Sequence, residues 1–276
     1  MINILYCGDQ NIEDGLIISV LSLLKNVEEE LNIIVLTLAL SAEETGTKEL
    51  CPVSERVIRY LDGRVKEQNP QNQVRLIDAT KLFQKQMPAA NMATRFTPCC
   101  MLRLYADQIP EIPDRILYLD NDVVCRRSPG GFYHQEMEAY EVAGALDYYG
   151  KWFFRSSPFH MDYLNSGVLL LNMKKIRQTS LFERCRTLCR DKKMFMPDQS
   201  AINKLAGAKK ICHRKYNDQR RLHEDTVMQH FSTTFRFFPW IHTLTVKPWE
   251  VERVHSVRKL TEYDDLQEEY IRGEYL

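Results

Sequence analysis

Residues 116–124 read Ile-Leu-Tyr-Leu-Asp-Asn-Asp-Val-Val, an apolar run that ends in two carboxylates, Asp120 and Asp122, one residue apart. A short unbroken apolar stretch suits a strand covered on both faces, as in the parallel sheet of an α/β protein. Alternate residues of a strand point to the same side, so if the strand runs on through these positions both acids project into one spot. Two hard oxygen donors converging there suit a divalent cation such as Mg²⁺ or Mn²⁺. Asp-x-Asp also occurs in solvated turns. The apolar lead-in weighs against that reading, because acids delivered by a buried strand are costly without a counter-charge.

The rest of the chain fits an α/β frame. Residues 2–7, 33–38 and 74–77 read as strands, with apolar positions at helical spacing over 16–24 and a helical stretch over 56–66. This β-loop-α-β opening is the first unit of a parallel sheet. A helix begins near residue 101 and stops before Pro110 and Pro113. Further strands are expected at 142–146, 168–171, 235–238 and 241–246, with helices over 174–192 and 197–206. Pro197 and Asp198 suit the start of the latter helix, where a missing N–H and a negative charge are both favoured. The expected organisation is one domain over residues 1–250 and a charged helical tail over 251–276.

The chain has 276 residues, 44% of them hydrophobic and 27% charged, with zero formal net charge. That balance offers no general attraction to nucleic acid or to an anionic membrane. No stretch approaches the ~20 apolar residues needed to cross a bilayer, which leaves at most peripheral membrane contact. The first residues lack the basic lead and long apolar stretch of a signal peptide, and the eight cysteines are scattered without a CxxC spacing. These features predict reduced thiols in a cytoplasmic protein.

Five further places bear on chemistry. Asp9 and Asn11 lie in the polar turn after the first strand, where they could hold a base or ribose, or simply form a βα turn. Arg103 lies on the helix before the central acids. Asn165 and Gly167 precede the apolar run at 168–171, so the Asn165 amide could sit at a pocket edge. Asp198 and Gln199 open a helix and could cap it, line a site, or both. His242 is followed by Lys247-Pro248-Trp249, and a lysine there could contact phosphate.

Taken in order, these motifs resemble family 8 glycosyltransferases, retaining enzymes that include glycogenin and bacterial lipopolysaccharide galactosyl- and glucosyltransferases. The resemblance rests on Asp and Asn after the first strand, Arg103-Leu104, Leu-Tyr-Leu-Asp-x-Asp, Asn-x-Gly-Val-Leu-Leu-x-Asn at 165–172, Asp198-Gln199, and His followed by Lys-Pro-Trp. It implies a GT-A fold, a Rossmann-like, mostly parallel central sheet flanked by helices, here with a C-terminal helical extension. It also implies a metal-dependent transfer of a hexose, glucose or galactose, from a UDP-sugar to a hydroxyl of a glycan or glycolipid. By the same resemblance Asp9 and Asn11 would contact uridine, and Asp120, Asp122 and His242 would bind Mn²⁺, with Mg²⁺ as the alternative. Arg103, Asn165, Asp198 and Gln199 would surround the donor sugar, Gln199 and Asp198 at its reacting carbon. Asp147 would lie on the donor or acceptor side, and Lys247 at the diphosphate.

Two departures stand out. The family's usual Gly three residues after the metal-binding His is Thr245 here, and its usual aromatic before the Arg is replaced by Met101 and Leu102. Two rival readings share the central motif. A haloacid-dehalogenase-type phosphatase also starts from a strand ending in Asp-x-Asp, but no Gly-Asp-x-x-x-Asp follows here. A non-catalytic nucleotide-sugar-binding module on the same fold would keep the acids without the reaction. His223-Glu224 begins like a zinc peptidase motif but lacks the second His. An aromatic group, Tyr148, Tyr149, Trp152, Phe153 and Phe154, could stack on an acceptor sugar.

Overall fold

The computed structural model describes residues 1–94, 97–153, 162–236 and 242–273. Its centre is a seven-stranded sheet. In chain order the strands are β1 (Ile2–Cys7), β2 (Leu31–Thr37), β3 (Gln73–Asp78), β4 (Arg115–Leu119), β5 (Val123–Cys125), β6 (Val142–Leu146), β7 (Leu164–Asn172), β8 (Lys209–Cys212), β9 (Met228–His230), β10 (Thr234–Arg236) and β11 (His242–Leu244). The main sheet runs β3-β2-β1-β4-β7-β6-β8, while β5 pairs with β9 and β10 with β11 in two separate ribbons. Only β7 runs against its neighbours in the main sheet: β1 is parallel to β2 and β4, β6 to β8, and β7 is antiparallel to both β4 and β6.

Both faces of the sheet are covered, so its central strands are mostly apolar. All seven residues of β2 are buried. The period of two is visible in how neighbours divide: Ile4, Tyr6, Leu117 and Leu119 join one core cluster, while Leu5, Ile116 and Tyr118 join the other. Under the first face lies the helix Glu13–Asn26, in which every residue from 15 to 24 is buried. Glu13 and Asp14 sit in its first turn, where negative charge suits the positive end of the helix. The helix Glu55–Gln68 beside it is amphipathic, buries Val57, Ile58, Leu61 and Val65, and is capped by the Ser54 side chain accepting from the Val57 amide.

The charged tail is not one helix. A short turn at Val251–Arg253 runs into a π-helical stretch, Val254–Arg258, and the helix Asp264–Arg272 follows. That last helix is fixed to two earlier ones: the Tyr270 hydroxyl donates to Asp14 of the helix Glu13–Asn26 at 2.8 Å, and Glu269 pairs with Arg64 of the helix Glu55–Gln68 at 2.8 Å. The segment before the central acids, expected as an α-helix, is a 3-10 helix over Pro98–Gln108. Three strands escaped the sequence reading: β5, β8 and β9. The strands expected at 235–238 and 241–246 correspond to β10 and β11 where described, and residues 237–241 lie outside the described residues.

The strand order reverses between β1 and β4, since the chain walks outward through β2 and β3 before returning to the other side of β1. In open α/β sheets ligands bind at the carboxyl ends of strands flanking such a switch point. Because β7 is reversed, its amino end shares that edge with the carboxyl end of β4, and Leu119 faces Val168 across the pair. Two connections from different parts of the chain therefore meet there.

The loop into β3 is locked by one buried side chain. Asn72 accepts the Leu31 amide at 2.8 Å and donates to the Val65 carbonyl at 3.0 Å. Asn72→Ala leaves both main-chain groups unpartnered away from water, so the variant is expected to lose about 1–3 kcal/mol of stability by urea unfolding at unchanged m-value.

Candidate active site

A cavity of about 670 Å³ opens at the switch point and is lined by Arg103, Asp120, Asp122, Asp147, Asn165, Asp198, Gln199, His230 and Lys247. The two central acids do not reach it by strand alternation. β4 ends at Leu119, and Asp120 to Asp122 form a turn closed by the Val123 amide on the Asp120 carbonyl at 3.2 Å. The chain then leaves the main sheet as β5 to pair with β9. That exit swings Asp122 back toward Asp120, and it carries His230, opposite Val123 in the ribbon, into the same place. Ligand atoms of Asp120, Asp122 and His230 lie within 4.8 Å of one another.

His230 is the residue the sequence reading missed. It is 5% exposed, and its Nε2 stands 3.1 Å from Asp122 Oδ1 and 3.8 Å from Asp120 Oδ2. Its Nδ1 meets the Asn217 amide oxygen at 3.0 Å, which turns Nε2 toward the acids. Burial works against a charged imidazole, but Asp122 and then Asp120 outweigh it and raise the His230 pKa. Burial likewise pushes the Asp122 carboxyl up, and Lys247 and His230 overcome it, holding Asp122 well below the usual carboxylate range. His242, expected as the third ligand, stands on β11, and its side chain lies outside the described residues. From sequence, His230 is separated from Lys-Pro-Trp by the β10–β11 hairpin. Only the pairing of β9 with β5 brings it to the acids.

Arg103 is buried at 3% exposure among acids. Its Nη2 donates to Asp120 at 3.0 Å, its Nε stands 3.3 Å from Asp198, its Nη1 donates to the Ser166 carbonyl at 2.6 Å, and its Nε also donates to the Cys100 carbonyl at 3.0 Å. The guanidinium carbon lies 3.8 Å from the centroid of the Tyr118 ring. The Tyr118 hydroxyl donates to Asp120 at 2.7 Å. Burial disfavours the charge on Arg103, yet Tyr118, Asp198 and Asp120 more than restore it. Asp198 goes the other way: burial raises its pKa despite Arg103.

The amides form a second group. Gln199 accepts the Ser166 amide at 2.8 Å and donates to Asp147 at 3.2 Å. Asn165 donates to Asp147 at 2.8 Å, and its oxygen accepts from the Gly167 amide at 2.9 Å and from Asn217 at 2.8 Å. Asp147 also accepts the Tyr149 and Gly150 amides at 3.0 and 2.5 Å. Asp9 and Asn11 sit at the carboxyl end of β1 but do not line this cavity. Asp9 is buried and bonds the Asn11 amide and side chain at 3.1 and 3.0 Å. Lys247 Nζ contacts Asp122. Thr245 raises no backbone strain, since the described non-glycine residues at positive φ are Ser180 and Lys259, and its hydroxyl meets that of Thr233 at 2.8 Å. Thr233 in turn stands three residues after His230, so with His230 in the ligand position the glycine is again a threonine. Phe154 lies outside the described residues, as do the side chains of Trp152 and Phe153, while Tyr148 and Tyr149 line the cavity.

The eight cysteines are free. Cys7, Cys99 and Cys100 border the cavity, but burial pushes the Cys99 thiol up to about 12 and raises the other two further, so none is a thiolate.

The chain matches the model of glycosyl transferase family 8 over residues 3–252 and belongs to that family. The galactosyltransferase LgtC, solved in complex with donor and acceptor sugar analogs, aligns with a TM-score of 0.69 at 16% identity, over 98% of this chain and 96% of that one. An active-site mutant of LgtC gives the same score and identity over 97% and 94%. The glycosyltransferase GlyE of Streptococcus pneumoniae TIGR4 aligns with a TM-score of 0.61 at 15% identity, covering all of this chain and 65% of that one. No curated protein matches the chain in sequence. At these identities the likeness is one of fold, and the fold is GT-A. The protein is therefore a glycosyltransferase.

Two glycines let the pieces of the site approach. A Cβ on Gly15, in the first helix, would stand 2.4 Å from the Asn121 carbonyl oxygen, and one on Gly167 would stand 2.3 Å from His230 Cε1 and 2.9 Å from Asp120 Oδ2. Gly167→Ala is expected to push the imidazole off the acids while the sheet stays folded. Titration with Mn²⁺ should show at least about tenfold weaker binding, with a far-UV circular dichroism spectrum like that of wild type.

Proposed function

We propose that this protein moves a hexose, glucose or galactose, from a UDP-sugar to a hydroxyl of a glycan or glycolipid, with retention and with the help of Mn²⁺ or Mg²⁺. The observation that carries this reading is the convergence of Asp120, Asp122 and His230 at the carboxyl edge beside the switch point. Family membership supplies the reaction class, and the donor and acceptor analogs bound by LgtC support a two-substrate cavity of this shape.

The donor set fits a divalent ion. Two carboxylates and one imidazole combine hard oxygens with a borderline nitrogen, which suits Mn²⁺ better than Ca²⁺. Asn217 behind His230 supplies the outer hydrogen bond that metal-binding histidines use. When bound, the ion would stabilise the charge that builds on the departing diphosphate. Everything else falls to the chain's own side chains. Lys247 stands on the same side as Asp122 and offers a point charge to a phosphate oxygen. Arg103 sets a fixed positive charge beside both Asp120 and Asp198. Asp147, Asn165 and Gln199 hold one another in fixed orientation and present acceptors and donors to sugar hydroxyls. Gln199 and Asp198 offer oxygens to the reacting carbon as it gains positive charge, and Asp9 and Asn11, beside β1, are placed for the nucleoside. The cysteines, all free, support a reducing compartment such as the cytoplasm.

A panel of UDP-sugars with Mn²⁺, scored by UDP release, tests the reading. One donor should be hydrolysed slowly without acceptor, and EDTA should stop it. UDP binding with no donor turned over would favour a non-catalytic module, and turnover of simple phosphate esters without UDP binding would favour a phosphatase. Asp120→Asn or Asp122→Asn is expected to lower donor turnover about a hundredfold or more at saturating Mn²⁺, in line with the several kcal/mol a Lewis acid contributes. Gln199→Ala should lose sugar transfer while calorimetry still shows UDP binding. His230→Ala should abolish tight Mn²⁺ binding and His242→Ala should leave it intact. The reverse pattern would return the ligand role to His242.

A further inference from the structure

A second cavity, of about 780 Å³, adjoins the first and shares Tyr148, Gln219, Arg220 and Thr234 with it. Among the described residues its wall is mostly positive. Lys151, Arg214, Arg220, Arg221 and Arg258 line it, and Asp218 is the carboxylate among its lining residues. That carboxylate is already committed. Asp218 accepts from Arg214 at 2.9 Å, from Thr226 at 2.5 Å and meets His223 Nδ1 at 2.7 Å. Arg214 is further tied to Asp225 at 2.6 Å. The positive charge of Arg214 is thus balanced, whereas Arg220 and Arg221 form no ion pair among the described residues.

Arg220 and Arg221 are held in place without a carboxylate. Arg220 Nη1 donates to the Tyr148 hydroxyl at 2.5 Å, and its guanidinium lies 5.1 Å from the centre of that ring. Arg221 Nε donates to His223 Nε2 at 2.9 Å, so the Asp218–His223 pair orients it. Arg258 donates to the main-chain carbonyls of Arg220 and Ser232 at 3.4 and 3.3 Å, which fixes the loop carrying Arg220. In a chain of zero net charge this is a local concentration of like charge, whose self-repulsion an anion would relieve. Guanidinium forks match the paired oxygens of a phosphate or a carboxylate. The donor's own diphosphate is provided for elsewhere, by Lys247 and the Asp120–Asp122–His230 group, so these arginines answer to something else.

We propose that this second cavity is the acceptor subsite and that it takes an anionic group, a phosphate or a carboxylate, carried by the acceptor sugar. The inference rests on the reading of the first cavity as a UDP-sugar site. Tyr148, on the wall between the two cavities, carries Arg220 and Lys151 over its ring, so an anion lying against Arg220 and Arg221 would sit beside the first cavity.

The test uses the full chain preloaded with UDP and Mn²⁺, titrated by calorimetry with glucose 6-phosphate, glucuronate and glucose. At least one of the two anionic sugars should bind saturably, at least about tenfold tighter than glucose, and more weakly as salt rises. Whichever anion wins names the group on the acceptor. In Arg221→Gln, at an arginine that lines the second cavity and not the first, the preference should fall at least about tenfold while UDP with Mn²⁺ still binds, which also shows that the variant is folded. Failure of UDP and Mn²⁺ to bind wild type would overturn the donor-site reading. Normal UDP binding with no preference for either anionic sugar, or a preference that survives unchanged in Arg221→Gln, would overturn the acceptor inference alone.

Discussion

The guanidinium of Arg103 is the charge on which the site depends. Four aspartates, Asp120, Asp122, Asp147 and Asp198, face one cavity at the edge of an apolar sheet, and burial works against the ionised form of Asp122 and Asp198. Arg103 touches two of them and two carbonyls from different segments, and packs its flat face on Tyr118. Removing a partner from such a buried pair costs about 3–5 kcal/mol, more than any single exposed ion pair on this surface contributes. The 3-10 helix, the end of β4, the start of β7 and the helix Pro197–Leu205 are held together by this one side chain.

The remaining acids are balanced differently. Asp122 takes Lys247 and His230, both from the chain after residue 227, whereas Asp147 takes main-chain amides and the side chains of Asn165 and Gln199. The amides continue through Asn217 to His230, so a continuous set of hydrogen bonds joins the candidate metal-site imidazole to Asn165, Asp147 and Gln199. Fixed dipoles of this kind hold their direction as charge develops, which is how an active site stabilises a departing group without reorganising. The positive charges sort into two regions, one around the acids and one beyond Tyr148. The proposed divalent cation and diphosphate fall to the first, and the proposed acceptor anion to the second.

Much of this was legible in the order of residues. The apolar runs at β1, β2, β4 and β6 mark themselves, because strands buried on both faces carry little alternation to confuse them. Asp198 and Gln199 are found by the proline that starts their helix. Less was legible where pairing, rather than local pattern, decides. β5 and β9 are three residues each, too short for any periodicity, and they exist because they pair with each other. His230 rides on that pairing, so a reading along the chain settles on the histidine nearer Lys-Pro-Trp. The acids themselves converge for another reason than expected, in a turn made by the chain leaving the sheet rather than on a continuing strand. Asn217 and Ser166 gave no signal, since a small polar residue in a loop looks the same whether it is solvated or buried in a network.

The reversed β7 has a consequence for how the chain reaches this state. β4 is placed beside β1, with Ile4 against Leu117, and its other edge waits for β7, with Leu119 against Val168. As a nascent chain emerges, β4 is complete before the strand that shields its far edge has been made, and the intervening β6 has no place to dock until β7 arrives. Contacts so distant along the chain form slowly. An apolar strand with one open edge is a template for pairing with another molecule. The aggregation hazard of this enzyme therefore lies in the half-made sheet, and the finished one, with β4 enclosed on both sides, no longer carries it.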